Sequence, residues 1–391
     1  MQVALSTCMN WETDVPREAW LLQYPAQIGL TVAQVMWTDN VENAISSACI
    51  GNDTGALRRV EEVLAGRTAA LVTALRSGQP PENVVKMTSL LTIDLHGRDV
   101  LKRLLAAFHA QLHAPSKSST SAAVEGKGPT AAYGAEASFP LNDEEATLPK
   151  MAVRSADVWG MLWVPFLRCY RVSGDGGRDA VDQDAADASI TAMLAKPSTG
   201  GQAVDVDDDV SVAGSDRGGD GDGAIEIRMA GWKTSYGFEY VGCSPRVVMT
   251  PLTERCMAGI ALALRSAKSP FIVGPSGAAG AALMRQLADA SAQQYHVVDC
   301  ACSDNGRHRS GAMRSLGGVF RAIRSMAARG GWVALESVDL LPRRALELLA
   351  LTLRELLGAI RARAESFNMR GETIALLDSG VGMGVLCTSL D

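Results

Sequence analysis

The sequence predicts an α/β unit built on a parallel sheet with flanking helices, preceded by an all-α region and interrupted by two disordered inserts. Three observations predict it. Residues 1–113 show helical apolar periodicity. Residues 224–391 alternate short apolar runs with longer helical stretches, the order that puts a parallel sheet between helices. Residues 114–150 and 173–223 show no apolar period.

Composition narrows the class. The chain has 391 residues, 47% hydrophobic and 20% charged, so a substantial core can form and disorder throughout is excluded. A net charge of −6 argues against a nucleic-acid binder, and no run of 18 apolar residues suits a membrane span. The start, MQVALSTCMNWETD, lacks the basic and apolar parts of a secretory signal. Eight cysteines without a C-x-x-C pair fit free thiols better than a disulfide framework.

In the first region Leu57, Val60, Val63, Leu64, Leu71 and Leu75 recur at helical spacing, and the pattern returns over Val100–Leu112. Gly51-Asn52-Asp53 and Gly78-Gln79-Pro80-Pro81 are turn signals. Residues 114–150, rich in Ser, Ala, Gly, Thr and Pro, read as a flexible insert. Residues 151–172 hold a short aromatic piece with Trp159, Trp163 and Tyr170. Residues 173–223 are dense in Asp and Gly, and cannot bury enough apolar surface to offset their ordering entropy. Beyond 224 come a strand at Pro270–Val273, a helix at 281–294 and a strand at Tyr295–Cys300. A helix at 312–329, a strand at Trp332–Glu336, a helix at 342–364 and a strand at Gly384–Thr388 complete the pattern.

The turn after the first of these strands is Gly274-Pro275-Ser276-Gly277-Ala278-Ala279-Gly280-Ala281. A phosphate-binding loop needs G-x-x-x-x-G-K-[ST] between strand and helix, the Lys for the β- and γ-phosphates and the hydroxyl for Mg²⁺. With Gly274 first, the second glycine falls on Ala279, the Lys on Gly280 and the hydroxyl on Ala281. Sliding the frame by one supplies neither group. The helix N-terminus keeps only the weak anion attraction of its dipole and free amides. The third strand ends in the same way. An ATPase of this P-loop architecture places an Asp and then a Glu there, whereas this chain has Glu336 and Ser337. The carboxylate is one methylene longer, and the serine cannot act as a base.

Several segments resemble the dynein heavy chain family at the junction of its linker and first AAA+ module. Tyr236-Gly237-Phe238-Glu239-Tyr240-Val241-Gly242-Cys243-Ser244-Pro245-Arg246 is similar to the family's YGYEYLGNSPR, and Met249-Thr250-Pro251-Leu252-Thr253-Glu254-Arg255-Cys256 to its ITPLTDRC. Tyr24-Pro25-Ala26-Gln27 with Gln34–Thr38, Thr92–Val100, Cys302-Ser303-Asp304 and Gly331-Trp332 follow in family order. The resemblance implies a helical linker-like region over 1–113 and 151–172, and an AAA+ large subdomain over 224–391, truncated after the sensor strand. It also implies that Met249, Thr250, Pro251 and Leu252 lie beside an adenine and Gly274–Ala281 beside phosphates. The departures fall on the hydrolytic elements. GPAGTGKTE becomes GPSGAAGAA, FDEFN becomes LESVD, and Leu390 stands at the sensor Asn.

Other constellations favour plain structural readings. His109 and His113 have zinc-helix spacing, but Ala110 replaces the catalytic Glu. His296, Cys300, Cys302 and His308 lack a second clamp, and the two thiols are expected on one face of a strand. Asp205, Asp207, Asp208 and Asp209 lack EF-hand spacing. Arg307, Arg309, Arg314, Arg321 and Arg324 read as a solvated or module-facing surface, with an anion or partner patch as the alternative. Asn52-Asp53-Thr54 is a sequon that a cytosolic chain would not use.

The expected function, by this resemblance, is a non-hydrolytic dynein-family scaffold or a fragment of a dynein complex, with no catalytic residue. No cofactor or metal is expected, with ATP and Mg²⁺ bound weakly at most. By resemblance, the partners are dynein complex subunits or neighbouring AAA+ modules, with microtubules met only indirectly. The cytoplasm and cytoskeleton, including the ciliary axoneme, are the expected location. The alternative is a divergent ATP-binding piece of a motor ATPase.

Overall fold

Four helices open the described chain: α1 (Arg17–Gln23), α2 (Ala26–Cys49), α3 (Ala56–Arg76) and α4 (Pro81–Leu112). The computed structural model describes residues 17–49, 53, 55–112, 163–172, 224–274, 280–300, 311–376 and 382–388. The inserts expected at 114–150 and 173–223 lie outside the described residues. Between α3 and α4, Gly78 takes φ 82 and Pro81 stands at the first helical position, where its missing N–H has no cost. The apolar stripes of α2, α3 and α4 bury Val41, Ile45, Leu57, Leu64, Val100, Leu101 and Leu104 with Trp163 and Phe166.

Three antiparallel strands follow in sheet order: β1 (Arg168–Val172), β2 (Ala224–Met229) and β3 (Trp232–Ser235). The two-residue turn between β2 and β3 holds Ala230 at φ 48 and Gly231 at φ 77, the left-handed pair that matches strand twist. This sheet crosses the boundary drawn at 223/224. Residues 224–235 pair with the strand that closes the helical region, because Ile225, Ile227 and Met229 alternate onto its core.

After an irregular stretch come α5 (Pro251–Arg265), β4 (Phe271–Gly274), α6 (Gly280–Ala290), β5 (Tyr295–Asp299) and α7 (Gly311–Arg329). Next are β6 (Trp332–Glu336), a 3-10 turn (Val338–Leu340), α8 (Arg343–Arg361), the hairpin β7 (Ser366–Met369) and β8 (Glu372–Ala375), and β9 (Gly382–Thr388). Strands β4, β9, β6 and β5 pair in parallel in that order. Trp332 on β6 joins the core of α5 and α6, while Val333 and Leu335 join that of α7 and α8. Strand alternation thus puts α6 and α7 on opposite faces.

Several element ends differ from the sequence reading by a few residues, the helix read to 364 ending at Arg361 and the last strand starting at Gly382, and two of the differences have a visible cause. Helix α6 stops at Ala290, because Ala292 turns left-handed (φ 49) and the Ser291 hydroxyl bonds the Leu287 and Ala288 carbonyls. Strand β5 stops at Asp299, so Cys300 is not in a strand; its amide donates to the Glu336 carbonyl at 2.9 Å.

The helical and α/β parts share one core, in which Ile28 and Val32 meet Ile227, Ile260, Leu287 and Trp332. Gln27 fastens its edge. The side chain donates to the Tyr236 hydroxyl (3.0 Å) and the Glu239 carbonyl (2.7 Å), and accepts from the Val241 amide (2.9 Å). Gln27→Leu keeps the volume and strands these partners. At about 1–3 kcal/mol per orphaned buried group, urea unfolding is expected to show a loss of about 2 kcal/mol or more. A change within about 0.5 kcal/mol would mean that other contacts hold 236–241.

Candidate functional site

Ligands of open α/β sheets bind beyond the carboxyl ends of the strands. Those ends carry Gly274, Asp299, Glu336 and Thr388, with Gly274 registered to Thr388 and Asp299 to Glu336. Equal register on parallel neighbours places the Asp299 and Glu336 carboxylates side by side. Ser337 follows at φ 53, ψ 37, a left-handed position that a serine occupies at some cost, and its side chain makes no cap bond to the 3-10 turn.

Gly280 opens α6 and is buried; Ala281 follows it. They offer backbone amides but no cation and no hydroxyl. The Ala281 carbonyl accepts a hydrogen bond from the Tyr295 hydroxyl at 2.9 Å. Burial and the nearby Glu336 carboxylate both push the Tyr295 phenol above its ordinary value, against the opposing Arg285 guanidinium. That guanidinium lies 5.6 Å over the Tyr295 ring. Pro275, Ser276, Gly277, Ala278, Ala279 and Leu390 lie outside the described residues.

Residues 236–249 climb α6 from its C-terminus toward its N-terminus. The Gly237 amide donates to the Ser291 carbonyl (2.8 Å), the Ser244 hydroxyl to the Asp289 carboxylate, and the Val247 amide to Gln286 Oε1 (3.0 Å). Gln286 Nε2 then reaches Met249 Sδ at 3.9 Å. Thr250 caps α5 reciprocally: its hydroxyl accepts from the Thr253 amide (3.3 Å), and its own amide donates to the Thr253 hydroxyl (2.7 Å). Pro251 fits the first turn. Leu252 is 75% exposed and Val248 69%, and Met249 between them is half-buried. The structure thus draws the 247–249 stretch onto α6 and leaves an open apolar shelf at the start of α5. Tyr295 and Gln286 were missed from sequence, since neither belongs to a motif. Their sequence distance from the loop and from Met249 gives no signal.

Helix α5 is tied to α4. Arg103 donates to both Glu254 oxygens (2.7 and 2.6 Å), and His96 Nδ1 lies 3.4 Å from Glu254. Burial pushes the His96 imidazole below its ordinary 6.5, with Glu254 opposing. A base depressed in the folded state gives stability that is complete above 6.5 and is lost as pH falls through that value. Urea unfolding from pH 7.5 down to 5.5 is therefore expected to destabilise the native chain more than His96→Gln. Equal losses would assign the slope to other groups.

The remaining constellations do not assemble. His109 is exposed at the end of α4, and His113 lies outside the described residues. His296 is exposed and Cys300 buried, with Cys302 and His308 outside. Among the described residues no three His, Cys, Asp or Glu side chains could hold a metal. Asp205–Asp209, Asn52, Thr54, Arg307 and Arg309 also lie outside, as does the side chain of Arg314. Arg321 is exposed, and Arg324 pairs with Glu372 at the surface (2.8 Å). No helix among the described residues is long and apolar enough to cross a membrane.

Residues 236–387 match the family described as "Hydrolytic ATP binding site of dynein motor region". That match begins one residue after β3, where the antiparallel sheet ends. The chain is similar to Dynein axonemal heavy chain 17 of Homo sapiens, 22% identical over 364 residues. It is also similar to Dynein axonemal heavy chain 11 of Sus scrofa and to the ciliary Dynein beta chain of Heliocidaris crassispina, each 21% identical over 366 residues. These alignments take in 93–94% of this chain and 6% of each relative. The order of the matched segments and the strand–helix frame accord with this match, so residues 236–387 are similar to that dynein region and the chain as a whole is similar to dynein heavy chains.

Proposed function

We propose that this chain is a non-hydrolytic scaffold of the dynein heavy chain family, a linker-like helical region fused to an AAA+ unit whose nucleotide site has lost its chemistry. One observation carries the proposal. Gly280 and Ala281 stand where a phosphate site needs an ammonium and a hydroxyl, and Ser337 stands where a water-activating acid follows the third strand. The charge at the site supports it further. Residues 269–391 contain no lysine, and Asp299 beside Glu336 adds negative charge where a triphosphate would approach. The dipole of α6 offsets this by only about 0.3–1 kcal/mol.

The shared core suits a structural part, because it makes the helical and α/β regions one frame. Within a dynein complex that frame would meet other subunits or neighbouring AAA+ modules, and microtubules only through them. Relatives named axonemal and ciliary favour the axoneme as its place. The open shelf of Val248, Met249 and Leu252 favours one further reading, weak adenine binding without hydrolysis.

Steady-state phosphate release tests the proposal. The purified chain with Mg-ATP is expected to match the buffer blank, and Glu336→Gln to change nothing. Turnover above the blank that disappears in Glu336→Gln would overturn it.

A further inference from the structure

Helix α8 carries two rows of side chains. Ala345, Leu349, Thr352 and Leu356 are buried, and Leu349 and Leu356 join the core that holds β6 and the β7–β8 hairpin. Beside them runs a second row, Arg344, Leu348, Leu351 and Glu355, which is exposed throughout. Leu348 is 42% exposed and Leu351 59%. At 3.6 residues per turn the four lie within about 60° of arc and along about 16 Å of helix. Steps of four, three and four residues are those of a seam that receives another helix.

Two exposed leucines alone would mean little; the charges at either end select what covers them. The row reads cation, leucine, leucine, anion, and among the described residues neither the Arg344 nor the Glu355 side chain has an ion-pair partner. A twofold axis midway between Leu348 and Leu351 lays a second α8 antiparallel on the first. Leu348 then faces the partner's Leu351, and Arg344 faces the partner's Glu355, each contact made twice. On the open flank, Glu347 and the partner's Arg354 come within about 3 Å of the same level, again with opposite charge. Glu347 also pairs with Arg343 of its own helix, at 3.2 Å. Parallel pairing would set cation on cation and anion on anion, so the sequence itself selects against it.

We propose that α8 is a self-association face, through which two copies of this chain form a weak antiparallel dimer with the leucines in the seam and Arg344–Glu355 pairs at its ends. The seam covers about three turns, so the contact falls below the about 1,200 Å² of stable interfaces, and a Kd on the order of 10–100 µM is expected. The dimer does not depend on the nucleotide reading.

Sedimentation velocity of the full 391-residue chain, from about 1 to 300 µM, tests this. A reversible rise from monomer to dimer is expected, and Leu348→Asp should leave monomer throughout. Arg344→Glu and Glu355→Arg, each alone, set like charges together at both ends and should weaken the dimer at least about tenfold. The two together in one chain restore opposite charges only in the antiparallel arrangement, and should return the dimer to near its native affinity. All three side chains are exposed, and circular dichroism checks that each variant keeps its helix content. Monomer at every concentration, which would leave the face to a different protein, a dimer indifferent to Leu348→Asp, or a double variant as weak as the single ones would overturn the proposal.

Discussion

Ala279→Gly, Gly280→Lys and Ala281→Thr together are expected to give the chain a micromolar affinity for Mg-ATP, at least 1,000-fold tighter than the native sequence, or about 4 kcal/mol. The frame for this gain is present. β4 delivers the chain at Gly274, α6 receives it at Gly280, and the Tyr295 hydroxyl already holds the first turn through the Ala281 carbonyl. The triple variant adds the ammonium that meets the phosphates, the hydroxyl that holds Mg²⁺, and a glycine that lets the backbone close. Binding without turnover is the expected result, because Ser337 still lacks a carboxylate. Titration calorimetry checks it. No gain in affinity would show that the loop can no longer wrap a phosphate.

Trp332→Ala is expected to cost about 3–5 kcal/mol of stability, the usual range for emptying a large aromatic site. Trp332 is 2% exposed and packs edge-on against Trp232, with ring centroids 5.8 Å apart at 66°. That contact joins the antiparallel sheet to the parallel one, and the Trp332 amide also donates to the Gln294 carbonyl at 2.7 Å. Trp332→Phe should recover more than half of the loss. Urea unfolding followed by circular dichroism measures both. A loss under about 1 kcal/mol would mean that the two sheets are stabilised independently.

Legibility in the sequence followed the strength of the local signal. Trp332–Glu336 was readable to the residue, since its apolar run is short, β-rich and bounded by Gly330-Gly331 before it. The helix of Ala56–Arg76 was readable from one apolar stripe. Both hairpins were missed for one reason. Their turns use Ala230-Gly231 and Arg370-Gly371, with the first residue left-handed at φ 48 and φ 57, rather than the Asn-Gly or Asp-Gly pairs that announce such turns. The alternation of Ile225, Ile227 and Met229 carried a signal, but its partner β1 lies more than 50 residues earlier, across an insert. At the site, motif spacing exposed the missing Lys and hydroxyl. Tyr295, Gln286 and the Arg103–Glu254 tie depend on contacts between distant elements, which no local pattern encodes.

Titration calorimetry of the native chain with millimolar Mg-ATP tests the central claim most directly. The account predicts heats equal to those of dilution, or a weak uptake that is unchanged when Mg²⁺ is withdrawn. A saturable, Mg²⁺-dependent isotherm with a Kd well below 1 mM would contradict it.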